Sequence, residues 1–502
     1  MATKSVIIIG SGFGGLIAGN LLAKKGHKVT IFESHCTPGG YTAGFYKNGF
    51  YFESGTLSFE ASPSIFKAMK DIGVFDKISF VRHKGRLVSE DFDSAPKSYN
   101  DFKKMLFAAF PSEKDKLDKY FSEVDEMYYA SRLIGKKPIP FLYSGLSLYL
   151  ALISYLFSAR KFMKVSKQYA DVTIGEFNAR FFEKESKLYK LLTNFGYPDM
   201  GAWIIGSSIT TMFDDYWTVN DGMQSWANVL SDNFMQLGGQ LKLNSYVDKI
   251  LTKNGTAVGV SSKNVTSNAD YVISACDYKK TFLKLLDDKS IVPPELLQKI
   301  EKAAVSEGVF TIYLGLNISN DELKQYMKLP YVMYCDEVIG VNAYNSNDEN
   351  FFEKTSFSLY SPSVMNPGLA PSGKSSLMLQ AFSPSDWMQN WGAPDKKKYK
   401  QLKEKVTKTL LRRAEAIIPN LGTLLEYEDA ATPLTYERYT HNTNGASSAW
   451  SWNPKKKFFE NTMGIDIKTP IKNLYIGSCW ACQMGGVPGA LMAAYLCSKK
   501  IK

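Results

Sequence analysis

SVIIIGSGFGGLIAGNLLAKKGHKVTIFES, residues 5–34, is the stretch whose reading decides the fold. Residues 6–9 are a short β-branched run, apolar on both faces, as a strand inside a parallel sheet requires. Gly10, Gly12 and Gly15 follow as G-x-G-x-x-G. Leu16, Leu21 and Leu22 continue with helical spacing as far as Lys25, and Gly26 ends the helix. Residues 27–32 read as a second strand with Glu33 at its end. The motif alone is weak; in this order the pieces predict a βαβ unit that binds a dinucleotide. Gly10 permits the tight turn, Gly12 lets a pyrophosphate approach the backbone, and Gly15 lets helix and strand pack closely. Phe13 and Gly14 open the helix, whose free N–H groups and positive dipole end face the phosphates. Glu33, 23 positions after Gly10, stands where a carboxylate accepts ribose hydroxyls, and Ser34 beside it joins the expected binding set.

Beyond the acid the chain runs through Gly39-Gly40-Tyr41 to a hairpin-like segment ending in Phe52-Glu53-Ser54-Gly55. Asp221-Gly222-Met223 opens a helix with Trp226, Val229, Leu230 and Phe234 on one face, and a strand follows around Val247. NADYVISACD, residues 268–277, carries Ala275 near the end of another strand. Near the C-terminus residues 474–476 form an apolar strand, Gly477-Ser478 a turn, and GGVPGA, residues 485–490, a final helix start with proline near its first position.

Taken together these elements resemble the large FAD family that includes phytoene desaturases, carotenoid isomerases, retinol saturases and the flavin amine oxidases. That family often has Arg in the place of Tyr41, and the GGY form looks most like the retinol saturase and carotenoid isomerase branch. The resemblance implies an α/β fold with a discontinuous Rossmann-like (GR2-type) FAD-binding domain, roughly residues 1–75, 215–290 and 425–502. A second, α+β domain from 76–214 and 291–424 would cover the flavin and shape the substrate site. Gly39, Gly40, Tyr41 and Gly55 would lie along the cofactor, Val247 would contact the adenine through its backbone, and Ala275 would lie close by. Gly477 and Ser478 would lie at the ribityl–phosphate part, and Gly486 and Val487 beside the isoalloxazine. An acid often stands where Ser478 is, so that hydrogen bond is expected to differ.

By the same resemblance the chemistry is hydride transfer at flavin N5 on a carbon–carbon unit of a lipophilic carotenoid-, retinoid- or isoprenoid-like substrate, by saturation, isomerisation or desaturation. No nucleophile–base triad stands out, and a flavin needs none, so no catalytic residue is named. One rival is a prenyl-binding escort-type protein of this fold without flavin; the intact Gly10, Gly12, Gly15, Glu33 and GGVPGA speak for retained FAD. A second rival is an amine oxidase.

The 502 residues are enough for two or three domains. A net charge of +11 implies an anionic partner, but the lysines are spread out rather than gathered into a nucleic-acid-binding run, so no nucleic acid is expected. Four scattered histidines offer no metal-ligand spacing, so no metal is expected. The six cysteines form no secreted framework, and the N-terminus reads as no signal peptide, which points to the cytoplasm. Cys479 and Cys482 have dithiol spacing beside the expected flavin and are expected to be structural. Residues 337–354 and 361–376 read as loops. Residues 140–157 carry no charge, yet Lys136, Lys137, Arg160, Lys161 and Lys164 flank them. Eighteen residues interrupted by serines are marginal for a span. Two readings stay open: a helix that packs a stripe of Ser144, Ser147, Ala151, Ser154 and Ser158 on the body and turns its large apolar face to a membrane surface, as a peripheral contact, or a buried helix lining the apolar pocket; the first is the expectation.

Overall fold

A computed structural model describes residues 2–193, 199–335, 347–462 and 464–502. Strand Ser5–Ile9 lies at the centre of a five-stranded parallel sheet, in the order Leu474–Ile476, Tyr271–Ser274, Ser5–Ile9, Lys28–Phe32, Gln240–Lys242. Val6, Ile7 and Ile8 are buried, as a centre strand covered on both faces demands. Helix Phe13–Lys24 connects the first two strands, and Gly26 at φ +83° closes it. Helices Met223–Gln236 and Gly486–Lys500 complete this unit. Met223, Trp226, Leu230 and Phe234 turn inward, and Val229 is only half-buried.

A mixed seven-stranded sheet forms the second layer, in the order Leu425–Ala431, Gly308–Leu316, Ser375–Ser383, Phe357–Tyr360, Tyr331–Tyr334, Gly85–Val88, Asp93–Ser94. Leu425–Ala431 was expected in the cofactor unit; here it pairs antiparallel with Gly308–Leu316 as an edge strand. One face of this sheet packs Phe310, Ile312, Leu377 and Leu379 with Trp387, Trp391 and Leu410. The other face meets the hairpin Gly44–Lys47 and Phe50–Glu53 through Phe50, Phe52, Tyr313 and Met378.

A helical block built from Tyr99–Ala109, Lys114–Gly135, Gly145–Gln168 and Ile204–Asp214 has its own core of Phe102, Phe121, Met127, Phe177 and Ile205. Gly206 lets two of these helices touch, since a Cβ there would stand 2.3 Å from the Met127 carbonyl oxygen. The helix expected over 140–157 is Gly145–Gln168, preceded by a 3-10 turn at Pro140–Leu142. It runs on through Arg160, Lys161, Lys164 and Lys167 because exposed basic residues are good helix formers. The expected small-residue stripe packs only through Ala151 and Ser158. Ser144, Ser147 and Ser154 are exposed, while Leu148, Ala151, Tyr155, Ser158, Phe162 and Val165 face the body, with Phe162 edge-on to Trp203. The opposite face leaves Leu146 (75% exposed), Ile153 (66%) and Phe157 (77%) in the open with Tyr149, Leu150, Leu152, Leu156 and Met163. Among the described residues no helix is long and apolar enough to cross a membrane.

Of the two loop readings, residues 361–376 contain helical turns at Pro362–Met365 and Pro367–Leu369, the first capped by Ser361. In the other, 337–346 lie outside the described residues and Phe351–Lys354 is a short helix.

Candidate flavin site

A cavity of about 1050 Å³ runs from Glu33 and Val247, past the Gly10–Gly14 turn, to the start of the last helix. Its wall carries Gly10, Gly12, Phe13, Gly14, Glu33, Ser34, Gly39, Gly40, Tyr41, Val247, Ala275, Ser478, Gly486 and Val487. Gly15, Gly55 and Gly477 stand just behind the wall, for reasons of packing. A Cβ on Gly15 would lie 2.0 Å from the Gly10 carbonyl oxygen, one on Gly55 2.5 Å from the Tyr41 ring, and one on Gly477 2.4 Å from Ile273.

Gly12 is different. Its backbone, at φ −62° and ψ 174°, suits any residue, and a Cβ there would meet nothing within 4 Å. What needs glycine at this position is the space in front of it. Gly12 is also the N-cap of helix Phe13–Lys24; no side chain caps the helix and no acid stands in its first turn. The first N–H groups are therefore open to an anion in the cavity.

Glu33 closes the other end. Its Oε2 accepts from the Ser11 backbone N–H at 2.7 Å and the Ser11 hydroxyl at 2.8 Å, and its Oε1 accepts from the His35 N–H at 2.8 Å. The Ser34 hydroxyl also donates to Oε1, at 3.1 Å, and the four bonds fix the carboxylate at the cavity edge; a ribose hydroxyl would take the place of the Ser34 side chain.

The Tyr41 side chain is held by protein. Its ring stacks on Tyr436 with centroids 5.6 Å apart, and its hydroxyl donates to the Gly445 carbonyl at 3.1 Å. Burial pushes its phenol far up, so it stays neutral. The Ser478 hydroxyl donates to the Cys276 carbonyl at 2.8 Å, so that side chain is committed to protein.

The sequence showed no sign of one group and gave no role to another, Glu53. Thr311, Tyr313, Gln380 and Tyr436 form a buried hydroxyl network on the sheet side of the cavity. Thr311 and Tyr436 hydroxyls are 2.7 Å apart, Tyr313 and Tyr436 3.3 Å, and Gln380 Nε2 donates to Thr311 at 3.2 Å. Only the register that sets Thr311 opposite Gln380 brings them together. Glu53, fully buried, accepts from the Tyr51 hydroxyl at 2.7 Å and the Met223 N–H at 3.1 Å, which ties the hairpin to the helix that follows Gly222. Burial pushes its acid up to about 8.

The thiols of Cys479 and Cys482 are free, and burial raises them to about 12 and about 11. Cys482 donates to the Cys479 carbonyl at 3.4 Å, and a Cβ on Gly489 would lie 2.6 Å from the Cys482 sulfur, so the pair packs beneath the last helix. Among the described residues no group of three or more His, Cys, Asp or Glu could hold a metal ion.

Residues 13–502 match the model of the family described as flavin containing amine oxidoreductase. The chain belongs to that family. As a family member it is a flavin-dependent oxidoreductase, and the uncapped helix start, the open space before Gly12 and the fixed Glu33 carboxylate fit such a cofactor. All-trans-retinol 13,14-reductase of Danio rerio is 25% identical, over 99% of this chain and 85% of that one. The 4,4'-diapophytoene desaturase (4,4'-diapolycopene-forming) of Methylomonas sp is 26% identical, over 91% of this chain and 89% of that one. Among solved structures, wild-type putrescine oxidase bound to putrescine superposes with a TM-score of 0.65 at 15% identity, covering 100% of this chain and 99% of that one, a likeness of fold.

Proposed function

We propose that this family member binds FAD and, on a lipophilic polyene, reduces or isomerises carbon–carbon double bonds or desaturates single bonds. The observation that carries the cofactor reading is a single cavity with Glu33, a ribose-type acceptor, the Gly10–Gly14 turn and the Gly486–Val487 helix start all on its wall. In this reading the first turn of Phe13–Lys24 takes the pyrophosphate, Val247 and Ala275 flank the adenosine, and Tyr41 and Val487 border the ring. The flavin would supply the hydride chemistry. The chain's own residues hold it, exclude water and position the substrate. The retinol and diapophytoene activities of the two relatives support a polyene substrate.

The cofactor unit and the domain over it then correspond to roughly 1–75, 215–290 and the C-terminal stretch, with 76–214 and 291–424 above. The exposed face of Gly145–Gln168 would rest on an anionic membrane. Charge complementarity supports this occupant: Lys136, Lys137, Arg160, Lys161, Lys164 and Lys167 are all exposed around the apolar face. Each is worth about 1 kcal/mol near an anionic surface, and a water-insoluble polyene needs a route out of the bilayer.

The test is to offer the flavin-loaded protein polyenes in anionic vesicles without oxygen, and to follow product mass and conjugation length. A polyene altered by one H₂ unit or isomerised supports the reading. Unchanged polyenes, with peroxide released from amines in air, would sink it.

A further inference from the structure

Glu60 is an acid with no structural work to do. It follows Phe59, whose backbone exchanges hydrogen bonds with Trp217 at 2.7 and 3.0 Å, and it precedes helix Ser62–Ile72. Its Oε1 lies 3.9 Å from where a methyl on Gly486 would stand, and the Ser448 hydroxyl lies 4.0 Å from the same point. Gly486 lines the cavity; Glu60 is not on its wall, but its carboxyl lies beside the turn that borders the flavin ring in the reading above.

The neighbouring carboxyl shows the contrast. Asp215 accepts from the Ser62 N–H at 3.0 Å, from the Ser62 hydroxyl, and from Trp217 Nε1 at 3.0 Å. It holds the chain together. Among the described residues Glu60 has no cation and no side-chain donor; it accepts only from its own backbone N–H. The titratable groups that face it are Asp215 and Tyr216, whose phenol burial keeps neutral. Glu60 is closely surrounded by protein yet keeps some accessible surface. A lone acid is costly in such a place unless it is neutral or used. Burial, with the Asp215 charge adding to it, pushes the acid up to about 7. A general acid or base is most useful when its pKa lies near the working pH.

We propose that Glu60 is the acid that exchanges a proton with the substrate chain during the double-bond chemistry, an inference that rests on the polyene reading above. In the reducing direction, the π bond takes a hydride at one carbon from the reduced flavin and the Glu60 proton at its neighbour. Two C–H bonds form, while the π bond and the Glu60 O–H bond break. The polyene is reduced, the flavin is oxidised, and the carboxylate regains its proton from water. Desaturation is the reverse.

Glu60→Gln keeps the shape and removes the proton. The first readout is independent of turnover: the carboxylic C=O stretch in infrared difference spectra of flavin-free protein as pH is raised. A band that disappears with a midpoint near 7 in the wild type and is missing from Glu60→Gln is expected. The second readout is turnover of polyene in D₂O. The wild type should place solvent deuterium on one carbon, and Glu60→Gln should lose on the order of 10²- to 10⁴-fold in rate with flavin content unchanged. If Glu60→Gln does not fold with flavin, Glu60→Asp decides: the acid drawn back by one methylene should slow turnover and move the pH profile. A wild type that converts polyene while its band titrates in the ordinary carboxylate range overturns the assignment alone, as does either variant running at the wild-type rate. A wild type with the band near 7 but no product from any polyene overturns the polyene reading and the proton exchange with it.

Discussion

Gly12 and Gly15 belong to one motif, yet replacing them should fail in opposite ways. Gly12→Val places its side chain where nothing lies within 4 Å, on a backbone that accepts it. The folded, flavin-free protein should hardly notice. Less freedom in the unfolded chain gains about 0.4–1 kcal/mol, and a poorer N-cap loses a similar amount. The side chain does fill the space before the uncapped helix start, so a pyrophosphate cannot close on those N–H groups. Losing one charged hydrogen bond, about 1.5–3 kcal/mol, and part of the helix-end attraction, about 0.3–1 kcal/mol, gives about 3 kcal/mol together. That is about a hundredfold weaker binding. Gly15→Ala is the mirror case. Its Cβ would lie 2.0 Å from the Gly10 carbonyl oxygen and 3.2 Å from Ala275 Cβ, so strand and helix must separate. Overpacking of this kind costs about 1–3 kcal/mol and should lower the melting temperature before any cofactor is added. The assay is titration of flavin-free protein with FAD by fluorescence, beside thermal unfolding of the same samples. Gly12→Val binding FAD like the wild type, or Gly15→Ala melting like it, would refute the reasoning about what each glycine is for.

Replacing Leu150, Ile153 and Phe157 together with Gln should weaken sedimentation with anionic vesicles at low salt while flavin content holds; Leu148 is no use for this test because it is half-buried against the body. Replacing Cys479 and Cys482 with Ala should leave turnover within a few-fold, and in the wild type both thiols should resist alkylation at neutral pH because burial keeps them protonated. Glu53 has its acid raised in the folded protein to about 8, so it binds a proton that the unfolded chain has released. Its contribution is full below the ordinary carboxylate range and is lost as pH rises through about 8, at no more than about 1.4 kcal/mol per pH unit. Glu53→Gln should flatten that slope in denaturant melts taken across the window, and a slope equal to the wild type's would contradict it.

The parallel sheet was legible because its signals are local. The β-branched run, the glycine spacing and Glu33 sit within thirty residues, and their chemistry demands that order. Leu425–Ala431 was not, because its place is fixed by pairing with a strand over a hundred residues away. The basic flanks of Gly145–Gln168 and its apolar character could be read directly, but the packed face could not. Small residues can pack or be solvated at equal ease, and Leu148, Tyr155 and Phe162 took the interior with only Ala151 and Ser158 of the stripe beside them. Tyr41 was noticed as a departure, yet its partner Tyr436 lies nearly four hundred residues on. Glu60 carried no local signal at all; its isolation shows only once Asp215, Trp217 and Gly486 are folded around it.

The most direct measurement of the central claim is the half-reaction. Protein whose flavin has been reduced with dithionite, mixed with a conjugated polyene in the absence of oxygen, should regain the absorbance of oxidised flavin in step with loss of one double bond from the polyene; a desaturating enzyme should show the converse, oxidised flavin bleached by the more saturated substrate. A flavin whose spectrum is unmoved by any polyene in either oxidation state, and without isomer formation, but that is bleached by an amine, would contradict the account.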